Sequence, residues 1–285
     1  HKILSQSAKA VPQKLAFITP SDSITYISLD EQSSALATQI LNLNINKSPI
    51  LIILPKGIEA IISFFGVLKS GNFYTIIDEN MPLERINKII RTLCPALLIT
   101  SKDLALNLDL LTIFIDDLSG FKPDQTILNS VKIIDTDLAY TLFTSGSTGE
   151  PKGVSISHKS LIDFIIACTN DLAIDDTHII ANQAPFYFDL SVFDIYVNIY
   201  ARATAHILPK YIFAFPLRAL EYLQKNRVTT IIWVPSVLVY FANSNALNNL
   251  NSSLKMIIAC GEMMPTKQLN IWIKAIANAK FYNLY

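Results

Sequence analysis

The sequence has no excess of charge of either sign and no long block of like charges. It contains 23 Lys and Arg residues and 23 Asp and Glu residues, so its formal net charge is zero. Binding to nucleic acid or to an anionic membrane surface relies on a basic patch or stripe. The composition therefore argues against both kinds of partner.

Long apolar runs are also missing, although the mean hydropathy of +0.37 is high. A membrane-spanning helix needs roughly 18 consecutive apolar residues. The best candidate, residues 50–67, is interrupted by Pro55, Lys56, Gly57 and Glu59. The sequence also lacks a basic and then apolar leader that ends in small residues. We therefore predict a soluble protein with a cytoplasmic location.

Cysteine is rare, and its positions are Cys94, Cys168 and Cys260. An odd number at wide spacing favours neither a disulfide framework nor a zinc site. His1, His178 and His206 form no ligand spacing with cysteines or carboxylates either. We therefore predict buried, reduced thiols and no metal site held by protein side chains.

Short β-branched runs alternate with amphipathic segments along almost the whole chain. This pattern is typical of parallel sheets with crossover helices. The predicted strands are 50–54, 73–77, 96–99, 111–115, 139–143, 204–208, 229–234, 254–259 and 280–284. Helices are predicted over 82–93, whose apolar residues share one face, over 236–242 with Ser236 as N-cap, and over 265–276.

The number of strand and helix alternations exceeds what one sheet accommodates. We therefore predict an α/β fold of two doubly wound, mostly parallel subdomains. Their approximate boundaries are 46–156 for one subdomain, and 1–45 together with 157–285 for the other.

Three of the 8 glycines fall within residues 144–153, which read TSGSTGEPKG. The segment follows a predicted strand and precedes a helix-like stretch from His158, an arrangement that presents backbone N–H groups to an anion. Hydroxyl groups, close backbone approach and a lysine suit a polyphosphate, and an ordinary polar turn is the alternative. The candidate residues are Thr144, Ser145, Gly146, Ser147, Thr148, Gly149 and Lys152. The P-loop pattern is excluded because Lys152 follows Pro151 and precedes Gly153.

With the strand before it, this segment reads LAYTLFTSGSTGEPKG over residues 138–153. It resembles the phosphate-loop signature of the adenylate-forming superfamily, which contains acyl-CoA synthetases, luciferases and the adenylation domains of nonribosomal peptide synthetases. Residues 24–29 and 68–86 resemble the first and second motifs of that family, with departures at Phe73 and Ile76. The resemblance covers essentially the whole chain. It implies ATP and Mg²⁺ as cofactors, with Thr144 and Lys152 in catalytic roles at the phosphates.

Residues 188–194, FDLSVFD, resemble the segment that begins the substrate pocket in amino-acid-activating members. The resemblance implies that Asp189 holds the α-ammonium group of the substrate, which favours an amino acid over a fatty or aryl acid. A carboxylate in an apolar stretch is unfavourable unless it is paired, and a substrate cation supplies that partner. A helix N-cap is the alternative interpretation of Asp189.

Further positions match the family pattern for substrate and nucleotide. The positions matching the side-chain pocket are Leu190, Phe193, Ser236, Ile258, Cys260 and Leu284. The positions matching the adenine site are Gly261, Glu262, Met263, Asn283 and Tyr285. Plain core is an equally good interpretation of Phe193, Ile258 and Leu284, and an inert thiol of Cys260. His158 is interpreted as structural.

Residues 182–196 and 259–265 resemble most the D-alanine:D-alanyl carrier protein ligase type, in which a cysteine at the position of Cys260 shapes a small pocket. Phe193 is bulkier than expected there. The resemblance implies that a small amino acid is activated as an adenylate and passed to the phosphopantetheine thiol of a carrier protein.

The family places a Mg²⁺-binding glutamate, a β-barrel and a C-terminal lid domain with a catalytic lysine after the position of Tyr285. We therefore expect the chain to be part of an N-terminal core that needs this C-terminal subdomain as partner and is inactive or weakly active alone. Two alternatives stay open: a non-catalytic remnant that binds nucleotide or amino acid, and an acyl-CoA-synthetase-like ligase for another acid.

Overall fold

The computed structural model describes residues 2–104, 108–145, 150–248 and 251–284, with Ser145 described by its backbone alone. The strands in chain order are β1 (Leu15–Ile18), β2 (Ser23–Thr25), β3 (Pro49–Ile53), β4 (Phe73–Ile77), β5 (Leu97–Thr100), β6 (Thr112–Phe114), β7 (Leu138–Ser145), β8 (Pro151–Ser157), β9 (Ile179–Asn182), β10 (Thr204–Ile207), β11 (Thr230–Trp233), β12 (Met256–Ala259) and β13 (Lys280–Asn283).

Helices connect most of these strands. They are α1 (Lys2–Ala10), α2 (Tyr26–Asn42), α3 (Ile58–Lys69), α4 (Leu83–Leu93), α5 (Gln125–Ser130), α6 (His158–Asp171), α7 (Leu190–Val192), α8 (Asn198–Ala201), α9 (Pro216–Lys225), α10 (Pro235–Asn243) and α11 (Thr266–Ala275). A wider π turn, Phe193–Val197, joins α7 to α8. Short 3₁₀ turns lie at Lys102–Leu104, Ile115–Leu118 and Lys210–Ala214.

The described strands form two sheets. The larger sheet has the order β13-β12-β11-β9-β10-β1-β2, and the smaller has the order β6-β5-β3-β4-β7-β8. Neighbouring strands run parallel in both sheets, except for the edge pairs β1–β2 and β7–β8, which are antiparallel. The predicted α/β fold with two mostly parallel sheets is therefore confirmed, while the subdomain boundaries stay a prediction.

All nine predicted strands are present, with ends that differ from the predicted ones by at most two residues. The strands β1, β2, β8 and β9 were not predicted. Length does not explain this for β1, β2 and β9, since predicted strands such as β6 and β12 are as short, whereas β8 contains Pro151 and Gly153, which are unusual inside a strand.

The predicted helices are confirmed in position, but the N-cap of α10 and the burial of the cysteine thiols differ from the predictions. The N-cap of α10 is Val234, so Ser236 lies inside the first turn and the N-cap prediction for Ser236 is wrong. The prediction of buried thiols is also wrong, because Cys94 is exposed while Cys168 and Cys260 are half-buried. Cys94 ends α4 in the left-handed conformation, with φ of 49°, which turns it away from the core.

One apolar core includes residues of both sheets. Phe17 of β1 and Ile180 of β9 belong to the same buried cluster as Ile50 of β3 and Tyr74 of β4. A second cluster fills the other face of the larger sheet around Trp233. Within the described ranges, no helix is long and apolar enough to cross a membrane.

Candidate functional site

The glycine-containing segment 144–153 lies in a hairpin and not before a helix. β7 and β8 pair with Thr144 opposite Lys152 and Ser145 opposite Pro151. The predicted strand–loop–helix arrangement is therefore wrong, because β8 separates the loop from α6. Gly146, Ser147, Thr148 and Gly149 lie outside the described residues, as does the side chain of Ser145. The loop therefore does not lead directly into the N-terminus of α6, where a helix dipole acts on an anion.

Thr144 and Lys152 stand across from each other where the hairpin leaves the sheet. Both are exposed, and the Thr144 hydroxyl donates to the Lys152 carbonyl at 3.5 Å. Gly153 has no room for a side chain, since an added Cβ would lie 2.8 Å from the Thr141 methyl group and 3.2 Å from the Phe143 ring. A hydroxyl and an ammonium group on adjacent strands form a suitable pair for an anionic ligand.

The carboxyl ends of β9, β11, β12 and β13 lie at one edge of the larger sheet, since these strands are parallel neighbours. Ligands of open α/β sheets bind outside such an edge. The segments that follow these strands are joined to one another. The backbone N–H of Ser236 donates to the Glu262 carboxylate at 2.8 Å, and the Cys260 thiol donates to the Leu284 carbonyl at 3.2 Å.

Asp189, which follows β9, is exposed at this edge. The predicted desolvation of its carboxylate is therefore wrong. The alternative role as an N-cap is not observed either: Asp189 has helical φ and ψ and makes no side-chain capping hydrogen bond. Its charge reaches two groups on neighbouring elements. Burial and then the Asp189 carboxylate raise the pKa of Tyr140 on β7 to about 12, and in the same order they raise the pKa of Cys260.

Four of the predicted pocket residues pack in one apolar cluster beside Asp189. Phe193 and Ile258 are fully buried in it, whereas Leu190 and Cys260 are half-buried at its border. Phe193 and Ile258 are thus core residues here, and Leu190 and Cys260 are the members that reach the sheet edge. Ser236 and Leu284 are exposed and lie outside this cluster.

The predicted adenine positions form an open surface after β12 and β13. Gly261 has a φ of +93°, a backbone conformation that favours glycine. The space beside it is open, since a Cβ added at this position would lie no closer than 3.9 Å to the Val234 methyl group. Met263 is 81% exposed, and Glu262 and Asn283 are also exposed. Tyr285 lies outside the described residues.

A buried polar cluster under this edge was not predicted. Lys56 donates to the carbonyls of Gln183 at 3.0 Å and Leu208 at 2.9 Å, and Asn182 donates to the Asp194 carboxylate at 2.6 Å. Burial, opposed by the charge of Asp194, lowers the pKa of Lys56 to about 7. Burial, opposed first by the Asn182 hydrogen bond and then by the charge of Lys56, raises the pKa of Asp194 to about 7. The available signal was Lys56 itself, a lysine that interrupts an apolar run directly after a strand.

Histidine and metal ligands contribute little to this edge. Burial lowers the pKa of His158, the first residue of α6, to about 4, so its ring is neutral at pH 7. Over the described ranges, His, Cys, Asp and Glu side chains form no group of three or more suited to a metal ion.

A family model described as AMP-binding enzyme matches residues 4–285. The chain belongs to this family. Among curated AMP-binding relatives, a D-alanine:D-alanyl carrier protein ligase of Staphylococcus epidermidis is 31% identical over 293 residues, which cover 99% of this chain and 58% of the ligase. Zwittermicin A synthase ZmaJ of Bacillus cereus is 28% identical over 285 residues, which cover 96% of this chain and 54% of the synthase.

Solved structures share the AMP-binding fold of this chain. The crystal structure of VinN matches with a TM-score of 0.87 at 19% identity, covering 99% of this chain and 74% of VinN. The nonribosomal peptide synthetase FmoA3 matches with a TM-score of 0.86 at 19% identity, covering 98% of this chain and 30% of FmoA3. At this identity the likeness concerns the fold alone. This AMP-binding chain spans little more than half the length of the carrier protein ligase that it matches.

Proposed function

We propose that the chain carries the substrate-binding part of an enzyme that activates an amino acid with ATP, forming an aminoacyl adenylate and pyrophosphate. The observation that carries the proposal is Asp189, an exposed carboxylate at the sheet edge with no role in capping α7. Its charge is felt by Tyr140 on one side and Cys260 on the other. A carboxylate in this place suits the ammonium group of an amino acid, which an acid without an amine does not have.

Each candidate residue then has a role in positioning or in charge neutralisation. Asp189 holds the ammonium group, so that the substrate carboxylate is placed for in-line attack on the α-phosphorus of ATP. Lys152 and Thr144 face the β- and γ-phosphates and stabilise the departing pyrophosphate through charge and hydrogen bonding. The side-chain pocket is bordered by Leu190 and Cys260, with Phe193, Ser236, Ile258 and Leu284 also assigned to it.

Two places among the described residues support the proposal of a bound nucleotide. The exposed Thr144 and Lys152 pair suits phosphate, and the open side of Gly261 leaves room for a flat base. We assign Gly261, Glu262, Met263, Asn283 and Tyr285 to the adenine side. Mg²⁺ neutralises phosphate charge when it is bound. No cluster of three acidic, thiol or imidazole groups suits a metal in the described ranges, so no metal ligand is assigned to them.

The substrate and partners are proposed from the named relatives. A relative named as a D-alanine:D-alanyl carrier protein ligase supports a small, alanine-like amino acid and a carrier protein whose phosphopantetheine thiol accepts it. We further propose a cytoplasmic location, where ATP and a reduced thiol acceptor are available.

Amino-acid-dependent exchange of pyrophosphate into ATP tests the proposal. The assay is run with this chain and with a longer protein that includes the residues encoded after Tyr285, using glycine, both alanine enantiomers and the remaining amino acids. Propionate, which is alanine without its amine, is the matched control. We expect exchange with a small amino acid by the longer protein and little or none by this chain.

Two outcomes would contradict the proposal. Exchange by neither protein with any amino acid would favour a non-catalytic binding remnant. Exchange supported equally by alanine and propionate would instead favour a ligase for acids without an amine.

A further inference from the structure

The loop that carries Asp189 is closed at its base by two fully buried side chains. Asn182, the last residue of β9, donates from its amide to the Asp194 carboxylate at 2.6 Å and to the Ala184 carbonyl at 3.2 Å. Both Asn182 and Asp194 are 0% exposed. Asp194 lies in the π turn, a wider turn that displaces side chains from their ordinary helical positions. The two ends of residues 183–193 are therefore joined beneath the exposed Asp189.

Lys56 attaches the same loop to the other sheet. It follows β3 of the smaller sheet, yet its ammonium group donates to the carbonyls of Gln183 and Leu208, both in segments that leave the larger sheet. The ammonium group also lies 6.0 Å from the centre of the Phe186 ring. One cation thus holds the start of the loop, the end of β10 and an aromatic residue of the loop together.

This polar cluster is unfavourable for stability as it stands. One carboxylate oxygen of Asp194, the amide oxygen of Asn182 and the amide oxygen of Gln183 are buried without a hydrogen-bond partner among the described residues. Buried polar atoms without partners destabilise a fold, and apolar side chains of similar shape would pack here at a lower free energy. A role in holding the loop in one position accounts for charged residues at this place.

We propose that Lys56 and Asp194 are positioning residues that fix the loop 183–193, and with it the Asp189 carboxylate, for recognition of the substrate ammonium group. Neither residue touches the substrate. The nature of the ligand rests on the proposed function, whereas the holding of the loop does not. The two residues hold the loop through separate contacts: Lys56 binds the Gln183 carbonyl, and Asp194 accepts a hydrogen bond from Asn182.

The test compares Lys56→Met, Asp194→Asn and the double variant with a matched control, Lys69→Met. Lys69 is also a buried lysine, at the far end of α3, where it pairs with Asp30 at 2.6 Å. Asp194→Asn keeps the shape of the side chain, so this variant is expected to fold if Lys56→Met does not. Hydrogen exchange is measured on peptides covering 183–193 in this chain, and KM values for amino acid and ATP are measured in the longer, active protein.

We expect each single variant to accelerate hydrogen exchange in 183–193 by about tenfold and to raise the amino-acid KM by about tenfold, with an ATP KM that changes about twofold or less. The double variant is expected to show at least the larger of the two single effects, because it loses both contacts. Lys69→Met is expected to lower the Tm without a selective effect on 183–193.

The proposal would be overturned if the hydrogen-exchange rate of 183–193 were unchanged in the variants. It would also be overturned if hydrogen exchange became faster throughout the chain, as expected for a general loss of stability in Lys69→Met. An unchanged amino-acid KM in spite of a faster-exchanging loop would overturn the link to Asp189. Absence of activity in the wild-type longer protein would count against the proposed function alone, because the exchange data on 183–193 still decide whether Lys56 and Asp194 hold the loop.

Discussion

At the scale of single residues, Asp189 provides the sharpest test of the site. Asp189→Ala removes the carboxylate but no capping hydrogen bond, since none is present. We expect the amino-acid KM to rise by about 100-fold and the ATP KM by about twofold or less, because a charge-assisted contact is worth roughly 1.5 to 3 kcal/mol. Pyrophosphate exchange with each substrate varied in turn measures both values.

Asp163→Ala is the control for this substitution, since Asp163 is an exposed aspartate on α6. It should leave both KM values unchanged. Equal effects of Asp189→Ala on amino acid and ATP would point instead to a general disturbance of the loop 183–193.

Lys152 supplies a second prediction at this scale. Lys152→Met keeps most of the side-chain length but removes the positive charge opposite Thr144. Because no helix N-terminus follows the loop, we expect the ATP KM to rise by about tenfold and kcat to fall by a similar factor, with the amino-acid KM nearly unchanged. The exposed Lys159 on α6 gives the matched variant, Lys159→Met, which should retain wild-type kinetics. A normal ATP dependence of Lys152→Met would remove Lys152 from the phosphate site.

His206 gives a prediction on stability against pH. Its ring is 3% exposed, bonds the Tyr222 hydroxyl at 2.9 Å, and has a pKa that burial lowers to about 4. The folded pKa lies below the unfolded value of about 6.5, so protonation favours the unfolded chain, and stability falls as the pH drops from about 6.5 to 4. The expected loss from this group is up to about 3 kcal/mol.

Urea unfolding between pH 7 and pH 4 measures this loss, with His206→Asn as the comparison. The variant should show a smaller decline in unfolding free energy than the wild type. The comparison uses the slope of unfolding free energy against pH. His158 also has a lowered pKa, but it is present in both proteins and contributes equally to both slopes. Parallel slopes would contradict the prediction.

The role of a single residue could be predicted where a sequence motif determines it. It could not be predicted where packing in the folded chain determines it. Thr144 and Lys152 were assigned from the resemblance of their segment to a phosphate-loop signature, and the hairpin register places them opposite each other. Lys56 lies in no motif, and no role was predicted for Asp194 at the end of FDLSVFD, because their buried contacts to Gln183 and Asn182 form only in the folded chain. The burial argument for Asp189 failed because apolar neighbours in sequence do not guarantee apolar neighbours in space: Phe188 itself is 56% exposed.

At the scale of elements, strand prediction did not follow burial alone, since the buried β9 was missed although the more exposed β13 was predicted. β4 was predicted to the residue, because its β-branched run lies in the centre of the smaller sheet. β8 was missed because it is an edge strand with mostly exposed residues, so no apolar alternation marks it. The error in the phosphate loop has the same origin, since an unrecognised β8 made α6 look like the next element.

The packing of α2 against α3 yields a prediction at this scale. Gly66 of α3 lies so close to Leu36 of α2 that an added Cβ would approach its side chain to 2.7 Å. Leu36 is fully buried and has little space to move. We expect Gly66→Ala to lower the unfolding free energy by about 1 to 2 kcal/mol, because overpacking outweighs the better helix propensity of alanine.

Denaturant unfolding of a double-mutant cycle with Leu36→Val checks the cause. If the contact with Leu36 is responsible, the double variant should lose less stability than the sum of the two single variants. Strict additivity, or a stabilised Gly66→Ala, would show that α2 and α3 adjust without strain.

At the scale of the whole molecule, the shared core predicts a single unfolding transition. One buried cluster contains residues of both sheets, whereas Trp233 and Trp272 lie in a cluster of the larger sheet. Tryptophan fluorescence therefore reports on one sheet, and far-UV circular dichroism reports on the secondary structure of both. We expect the two signals to change at the same urea concentration, because loss of the shared core destabilises both sheets together. Separate midpoints would mean that the sheets unfold independently.

Pairing between β7 and β8 constrains how the gene for this chain can change, because it fixes which residues stand opposite each other. Side chains alternate between the two faces of a strand, so the loss or gain of one codon within β7 or β8 would turn every residue beyond it to the opposite face. Thr144 and Lys152 would then no longer stand on the same side of the hairpin. The pairing has one irregularity, between Leu138 and Tyr140, so over generations a change of length is accommodated there more easily than between Tyr140 and Ser145.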